Sequence, residues 1–395
     1  MNPDLKTQIQ TLSEKIYPKI KSYREHLHQH PELSYQEFAT MAFVAEKLKE
    51  LGIPFQQGIA ETGIVALIRG DHHTQDEHCL GLRADMDALP IQEENNVTYR
   101  SKTDGIMHAC GHDVHTSILL GVAEILQTFR NNLTQPVKLI FQPGEEKNPG
   151  GASLMIKEGV LENPSVDRMA ALHVFPEMET GKVGFKEGIY MASCDEIYIT
   201  INGKGGHGAL PHNCIDPIMI GANLLVQLQQ IVSRKCDPKN PCVLSFGHFE
   251  ALGATNVIPS KASLKGTFRT MDEKWRAEAL DLIQCQTNMI VEAHGGKVDI
   301  EISHGYPYLE NDPEFTREVK SKAIEMVGSA NVEELPIRLT AEDFSFYSHK
   351  VPVCFFRLGV ADSTKPVNYG VHHPQFDIDP NSLLTGMQVL SSIAF

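Results

Sequence analysis

Between His108 and His115 the chain reads HACGHDVH, which sets three histidines, a cysteine and an aspartate within eight residues, just ahead of an apolar run. In that run Val114, Ile118, Leu119, Val122, Ile125 and Leu126 recur at helical spacing. Cys110 and His112 therefore stand at a helix N-terminus, where the partial positive charge of the backbone is expected to lower a thiol's pKa. Gly111 between them carries no side chain, so the backbone can wrap closely around something small. A thiolate and an imidazole two residues apart are good ligands for a borderline cation such as zinc. Taken alone, the stretch fits equally well a solvated polar loop that caps a helix.

Other segments offer matching chemistry. KLIFQPGEEKNPGG follows an apolar strand with a turn and two adjacent carboxylates, Glu145 and Glu146. Neighbouring side chains on a turn diverge, so one carboxylate can hold a metal while the other faces an attacking water. A solvated acidic turn is the alternative. CLGLRADMDALPI ends a strand with Asp85 and Asp87 at alternate positions. Either could accept the free N–H of a metal-bound histidine and fix its tautomer, or simply make a local turn. RMAALHVFP places His173 after a further apolar strand, and NYGVHHPQFD places His372 and His373 before Pro374. In open α/β sheets ligands bind beyond the carboxyl ends of the strands, and this shared placement sets these histidines apart from the rest.

The elements that must hold these groups read as follows. Leu5, Ile9, Leu12, Ile16, Ile20, Tyr23 and Leu27 mark an amphipathic helix stopped by Pro31. Strands are expected over 63–68, 79–82 and 137–141, with a helix over 117–129. This alternation argues for a mostly parallel sheet covered by helices. From about residue 194 the rhythm becomes strand 195–202, helix 216–233, strands 242–249 and 262–269, helix 273–293 and strand 297–303, the βαββαβ order of a ferredoxin-like unit. A helix over 313–327 and a strand over 353–358 then resume the earlier style. The chain is thus expected to build one catalytic α/β domain from residues 1–187 and 306–395, with an α+β domain inserted over 188–305.

Bulk composition narrows the partners. The chain has 395 residues, 42% hydrophobic and 22% charged, which suits two or three globular domains rather than a disordered chain. Lys plus Arg number 35 against 50 Asp plus Glu, a net charge of −15 that disfavours nucleic acid and anionic lipid. No apolar run reaches membrane-spanning length. The first residues, charged throughout, lack the look of an export signal. Eight cysteines without a C-x-x-C pair suit thiols in a reducing, cytoplasmic setting.

Taken together, HxHPELSxxE (28–37), RADMDALP (83–90), HACGHD (108–113), FQPGEE (141–146), GGHGALPH (205–212), TNVIP (255–259), AEDF (341–344) and HHPQFD (372–377) resemble the M20 metallopeptidases. The branch they resemble is that of N-acyl-amino-acid amidohydrolases, hippurate hydrolases and auxin-conjugate hydrolases, and the likeness runs nearly the whole chain in the family's order. The resemblance implies a zinc-peptidase-like catalytic domain with an inserted lid or dimerisation domain. It further implies two divalent metal ions (zinc, manganese, nickel or cobalt) bridged by Cys110, with His112 and His173 completing one site and Glu146 and His372 the other. Glu145 then corresponds to the general base and Asp87 to the carboxylate behind a ligand. His207 corresponds to a histidine that reaches a neighbouring subunit's site to stabilise the oxyanion, so a homodimer is implied. Asn256 and Arg269 match positions that hold a substrate carboxylate, for which a guanidinium is well shaped. The implied reaction is hydrolysis of N-acyl amino acids. Within the family the alternatives are a carboxypeptidase, a dipeptidase or an N-acetyl-diaminopimelate deacetylase. Outside it they are a cysteine hydrolase using Cys110 or an inactive binding homologue.

Overall fold

The structure, a computed structural model, describes residues 2–74 and 78–395. In chain order its helices are α1 Pro3–Gln29, α2 Phe38–Glu50, α3 His112–Thr128, α4 Gly151–Lys157, α5 Pro217–Gln230, α6 Glu273–Ala293, α7 Pro313–Val327, α8 Ser345–Ser348 and α9 Ser382–Ser392. Strands β1 Phe55–Ile59, β2 Gly63–Ile68, β3 Cys79–Asp85, β4 Val137–Gln142, β5 Val166–Glu179, β6 Val183–Phe185 and β7 Gly188–Met191 precede β8 Asp195–Asn202. After it come β9 Gly206–His207, β10 Cys242–Glu250, β11 Val257–Ile258, β12 Lys261–Thr270, β13 Lys297–His304, β14 Leu309–Asn311, β15 Val332–Glu334 and β16 Val353–Ala361. Two compact units separate: one of residues 1–190, 310–337 and 343–395, the other of 191–309 and 338–342.

The first unit is built on an eight-stranded mixed sheet ordered β1-β2-β4-β3-β5-β16-β6-β15. Its centre, β4-β3-β5-β16, is parallel. Strands β3, β4 and β16 are buried along nearly their whole length and β5 over residues 169–174, as expected of parallel strands covered on both faces. Helix α3 begins at His112, five residues before the expected start, because the apolar stripe is only part of what it buries. Fourteen of its residues are buried, from His112 through Leu126, so this helix lies inside the core rather than on its surface. Against it pack Ile16 and Ile20 of α1 and Leu383, Met387 and Leu390 of α9 in one continuous apolar cluster.

Strand β5 corrects a second expectation. His173 does not follow the strand but sits inside it, since β5 runs 14 residues through Pro176. A proline normally ends a ladder. Here the pairing with β16 shifts register between Gly359 and Ala361, opposite Phe175 and Glu179, which spares the missing N–H. His173 nonetheless reaches the rim. Arg83 of β3 pairs with Ala171, so His173, two residues further, is level with Asp85 at the end of β3.

In the second unit β10-β12-β8-β13 form an antiparallel sheet, the strand order of a βαββαβ unit with α5 and α6 as its helices. Ile197, Ile199 and Ile201 alternate inward along β8 and pack on Leu224 and Leu228 of α5 and Ile283 of α6. Asp216 and Asp272 cap the two helices by accepting N–H groups of the first turn. Buried Arg276 grips Asp195 with two bonds of 2.7 Å, tying α6 to the start of β8.

Candidate metal centre

The carboxyl ends of the central strands and the N-terminus of α3 bring the predicted groups of the first unit to one rim. Cys110, His112 and His173 each offer an atom within 4.8 Å of the others, and so do Cys110, Glu146 and His372, making two triads that share one sulfur. A third grouping, His112, Glu145 and Glu146, sets Glu145 beside both triads. Gly111 allows this crowding. It sits at φ 82, and a Cβ there would lie 2.6 Å from Val174 Cγ2.

Hydrogen-bond partners fix which way each ring faces. His112 Nδ1 lies 3.2 Å from Asp87 Oδ1, a carboxylate that can only accept, so Nδ1 carries the proton. Nε2 is the position left for a cation: it is buried without a hydrogen-bond partner, 3.8 Å from Asp85 Oδ2 and 4.0 Å from Glu146 Oε1. His173 Nδ1 lies 2.8 Å from the Val174 carbonyl oxygen and must likewise donate. Its Nε2 faces Cys110 Sγ at 3.4 Å. His372, in the left-handed region at φ 65, gives its backbone N–H to the Ala109 carbonyl at 2.7 Å and turns Nε2 to 3.2 Å from Glu146 Oε1. Strained backbone of this kind concentrates at functional sites. His373 is engaged elsewhere, stacked on Tyr369 with ring centroids 4.3 Å apart and accepting the Gln375 N–H at 3.0 Å.

Asp87 joins three segments. Its Oδ1 accepts from His112 and from the Glu145 N–H at 3.1 Å, and its Oδ2 from the Ser34 hydroxyl at 2.6 Å and the Glu146 N–H at 2.9 Å. The turn bearing Glu145 is further pinned by Glu37, which accepts the Gly144 N–H at 2.9 Å, and by the Tyr35 hydroxyl on the Lys147 carbonyl at 2.9 Å. Sequence reasoning left these residues without roles, although the HPELSYQE and AEDF stretches were conspicuous. Asp343 of the latter accepts from Arg83 and Gln142, both at 2.8 Å, and so steadies the strand end before the turn.

The electrostatics correct one expectation outright. The Cys110 thiol is pushed well above its ordinary pKa, first by complete burial and then by Glu146, Glu145 and Asp85. Burial and these carboxylates outweigh the partial positive charge of the α3 N-terminus. Burial pulls the His112 ring down, but Asp85, Asp87 and Glu146 lift it to about 10. Burial and then Arg357 hold His173 well below the usual range, so that ring is neutral. Left to itself, the cluster gathers protons to offset its carboxylates. A cation relieves the same imbalance.

The remaining predicted residues lie in the second unit. His207 is exposed on β9, which pairs with β11 through Val257. Its Nδ1 accepts the Ala209 N–H at 3.1 Å, so a neutral ring carries its proton on Nε2 as a free donor. Asn256 is exposed next to it, its carbonyl accepting the Gly208 N–H at 2.8 Å. Arg269, half-buried on β12, donates from Nε to Thr267 Oγ1 at 3.1 Å.

The buried His112 Nε2, which has no hydrogen-bond partner, and the soft-to-hard donor set of sulfur, imidazole and carboxylate fit divalent transition metals well. Two cation positions sharing a cysteine, with a further carboxylate alongside at the rim of a mixed α/β sheet, are the equipment of a metal-dependent hydrolase. The model of Peptidase family M20/M25/M40 matches residues 81–395. An N-acyl-L-amino acid amidohydrolase of Geobacillus stearothermophilus is 42% identical over 312 residues, 78% of this chain and 83% of that protein. Thermostable carboxypeptidase 2 of Saccharolobus solfataricus is 36% identical, with 97% of this chain and 96% of that one covered. The Bacillus subtilis YXEP protein, described as a dinuclear metal binding peptidase from the M20 family, has a TM-score of 0.81 at 31% identity, covering 96% of this chain and 98% of its own. The chain belongs to the M20 peptidase family and is a metal-dependent hydrolase. Among the described residues no helix is long and apolar enough to cross a membrane.

Proposed function

We propose that this protein hydrolyses the amide bond of N-acyl amino acids, releasing a carboxylic acid and a free amino acid. The observation that carries the reading is the pair of ligand triads sharing Cys110 with Glu145 beside them. Cys110, His112 and His173 would hold one divalent ion, and Cys110, Glu146 and His372 the other. Zinc, manganese, nickel and cobalt all suit this mixed set. Bound there, the ions supply an acidified water and a polarised carbonyl. Glu145 takes the proton from the attacking water and delivers it to the departing nitrogen. Asp87 holds His112 in the tautomer that presents Nε2. The partner subunit's His207 donates its Nε2 proton to the developing oxyanion, a contribution of about 3 to 4 kcal/mol when such a donor is aimed well. Asn256 and Arg269 hold the substrate's carboxylate. This division of labour calls for a homodimer formed through the second unit, acting in a reducing, cytoplasmic setting.

A cysteine hydrolase is disfavoured by the same site, since burial of Cys110 and then the carboxylates around it oppose the thiolate such an enzyme needs at rest. The second reading within the family is a carboxypeptidase, favoured by the Saccharolobus relative. Turnover of hippurate, N-acetyl amino acids, N-acetyl-diaminopimelate and dipeptides, measured side by side before and after chelation, tests the proposal. Hydrolysis of the N-acyl amino acids, lost on chelation and restored by metal, is expected. Activity confined to dipeptides, or untouched by chelation, would contradict it.

A further inference from the structure

His115 is buried one helical turn beyond His112 and takes no part in the hydrolysis just described. Its Nε2 accepts the Val174 backbone N–H at 2.9 Å, and its Nδ1 lies 2.6 Å from Asp85 Oδ1. An amide N–H can only donate, so Nε2 is bare and the ring's single proton sits on Nδ1, given to Asp85. Asp85, His112 and His115 lie close enough together to suggest a further cation position. His115 cannot serve it, because both of its nitrogens are already engaged.

Those bonds restrain Val174 instead. The ladder between β3 and β5 ends at Arg83 and Ala171, so the Val174 amide lies past the last strand partner on that side, and the imidazole is its acceptor. The carbonyl of the same residue accepts the His173 Nδ1 proton at 2.8 Å. Its side chain fills the space that a Cβ on Gly111 would occupy. Val174 is thus held at its N–H, its carbonyl and its side chain, and each restraint bears on a neighbour of the metal centre.

We infer that His115 is a positioning residue: through the Val174 backbone it fixes the tautomer and direction of His173, and so sets the affinity of the cation position formed by Cys110, His112 and His173. The inference rests on the reading of His173 as a ligand. Side chains acting behind a metal ligand typically govern its affinity by about 10- to 100-fold.

The test uses the full-length dimetal protein, stripped with a chelator and titrated with cobalt(II) against a chromophoric competitor, with the thiolate-to-cobalt absorption followed in parallel. His115→Asn keeps a donor for Asp85 but leaves the Val174 N–H without an acceptor. His115→Gln places its oxygen where Nε2 stands and restores that acceptor. In the asparagine variant one of the two binding steps should weaken about 10- to 100-fold while the other holds, and glutamine should recover most of the loss. Equal weakening of both steps, or wild-type binding by the asparagine variant, overturns the inference. His173→Ala separates the two layers: if it leaves both steps unchanged, the ligand reading itself fails. A readout on the wild-type protein needs no variant to fold. Nitrogen-15 shifts of labelled histidine should show His115 protonated at Nδ1, with coupling from Nε2 across the hydrogen bond to the Val174 nitrogen. A proton on Nε2 overturns the inference.

Discussion

Replacing Asp87 with asparagine preserves shape and removes one acceptor from a buried group that uses all of its own. Oδ1 serves His112 Nδ1 and the Glu145 N–H, while Oδ2 serves Ser34 and the Glu146 N–H. The new NH2 must therefore face two donors, whichever way the amide lies. The cheaper choice points it at Ser34 and Glu146, because the serine hydroxyl can rotate and accept. The Glu146 N–H is then stranded, at a cost of about 1 to 3 kcal/mol for a buried unsatisfied donor. His112 keeps its tautomer but loses the charge that strengthens the bond, and losses behind a metal ligand run about 10- to 100-fold in affinity or activity. Thermal unfolding of the metal-loaded protein should show the destabilisation, and initial rates on an N-acyl amino acid should show the fall in kcat/KM. Unchanged melting together with unchanged kcat/KM would refute the assignment of Asp87 as the group that binds the rim together.

Glu145→Gln should retain both metal ions by elemental analysis while turnover falls by at least about 10²-fold, the usual share of a general base; near-normal rates would remove it from that role. Glu37, whose carboxyl is pushed to about 7 by burial and then by Asp87, favours its protonated form in the folded state. Its contribution to stability is therefore complete below its unfolded pKa and drains away as the pH rises towards 7. Glu37→Gln can keep the Gly144 bond and turn its NH2 to Thr62, so it should melt like the parent near pH 5 and above it at pH 8. A constant difference across that range would contradict this. Because Cys110 and His112 hold protons near neutrality without metal, metal binding should release protons and tighten as the pH rises. Calorimetric titrations in two buffers of different ionisation enthalpy measure the release, and identical heats would contradict it.

The candidate ligand groups were legible because each lay in a stretch whose residue types had little structural reason to assemble. Helix α7 was legible to the residue, since Asp312 caps it, Pro313 opens it and Gly328 follows it. Helix α2 gave no such signal. The residue at its start, Glu37, spends its carboxylate on Gly144 and Thr62 rather than on a cap. Helix α9 is buried on nearly every side and so shows no polar face from which to read a period. Pro176 hid the second half of β5. The direction of the Cys110 shift lay beyond a linear reading, because a helix terminus is visible in sequence whereas full burial beside three carboxylates is a tertiary property. The His115 contact to Val174 joins α3 to β5 across 59 residues, and nothing local announces it.

Anomalous diffraction from crystals grown with zinc measures the central claim most directly. Two peaks about 3.5 to 4 Å apart are predicted, both within bonding distance of Cys110 Sγ, one also meeting His112 and His173 and the other Glu146 and His372. A single peak, or a pair that leaves Cys110 outside the coordination of either ion, would contradict the account.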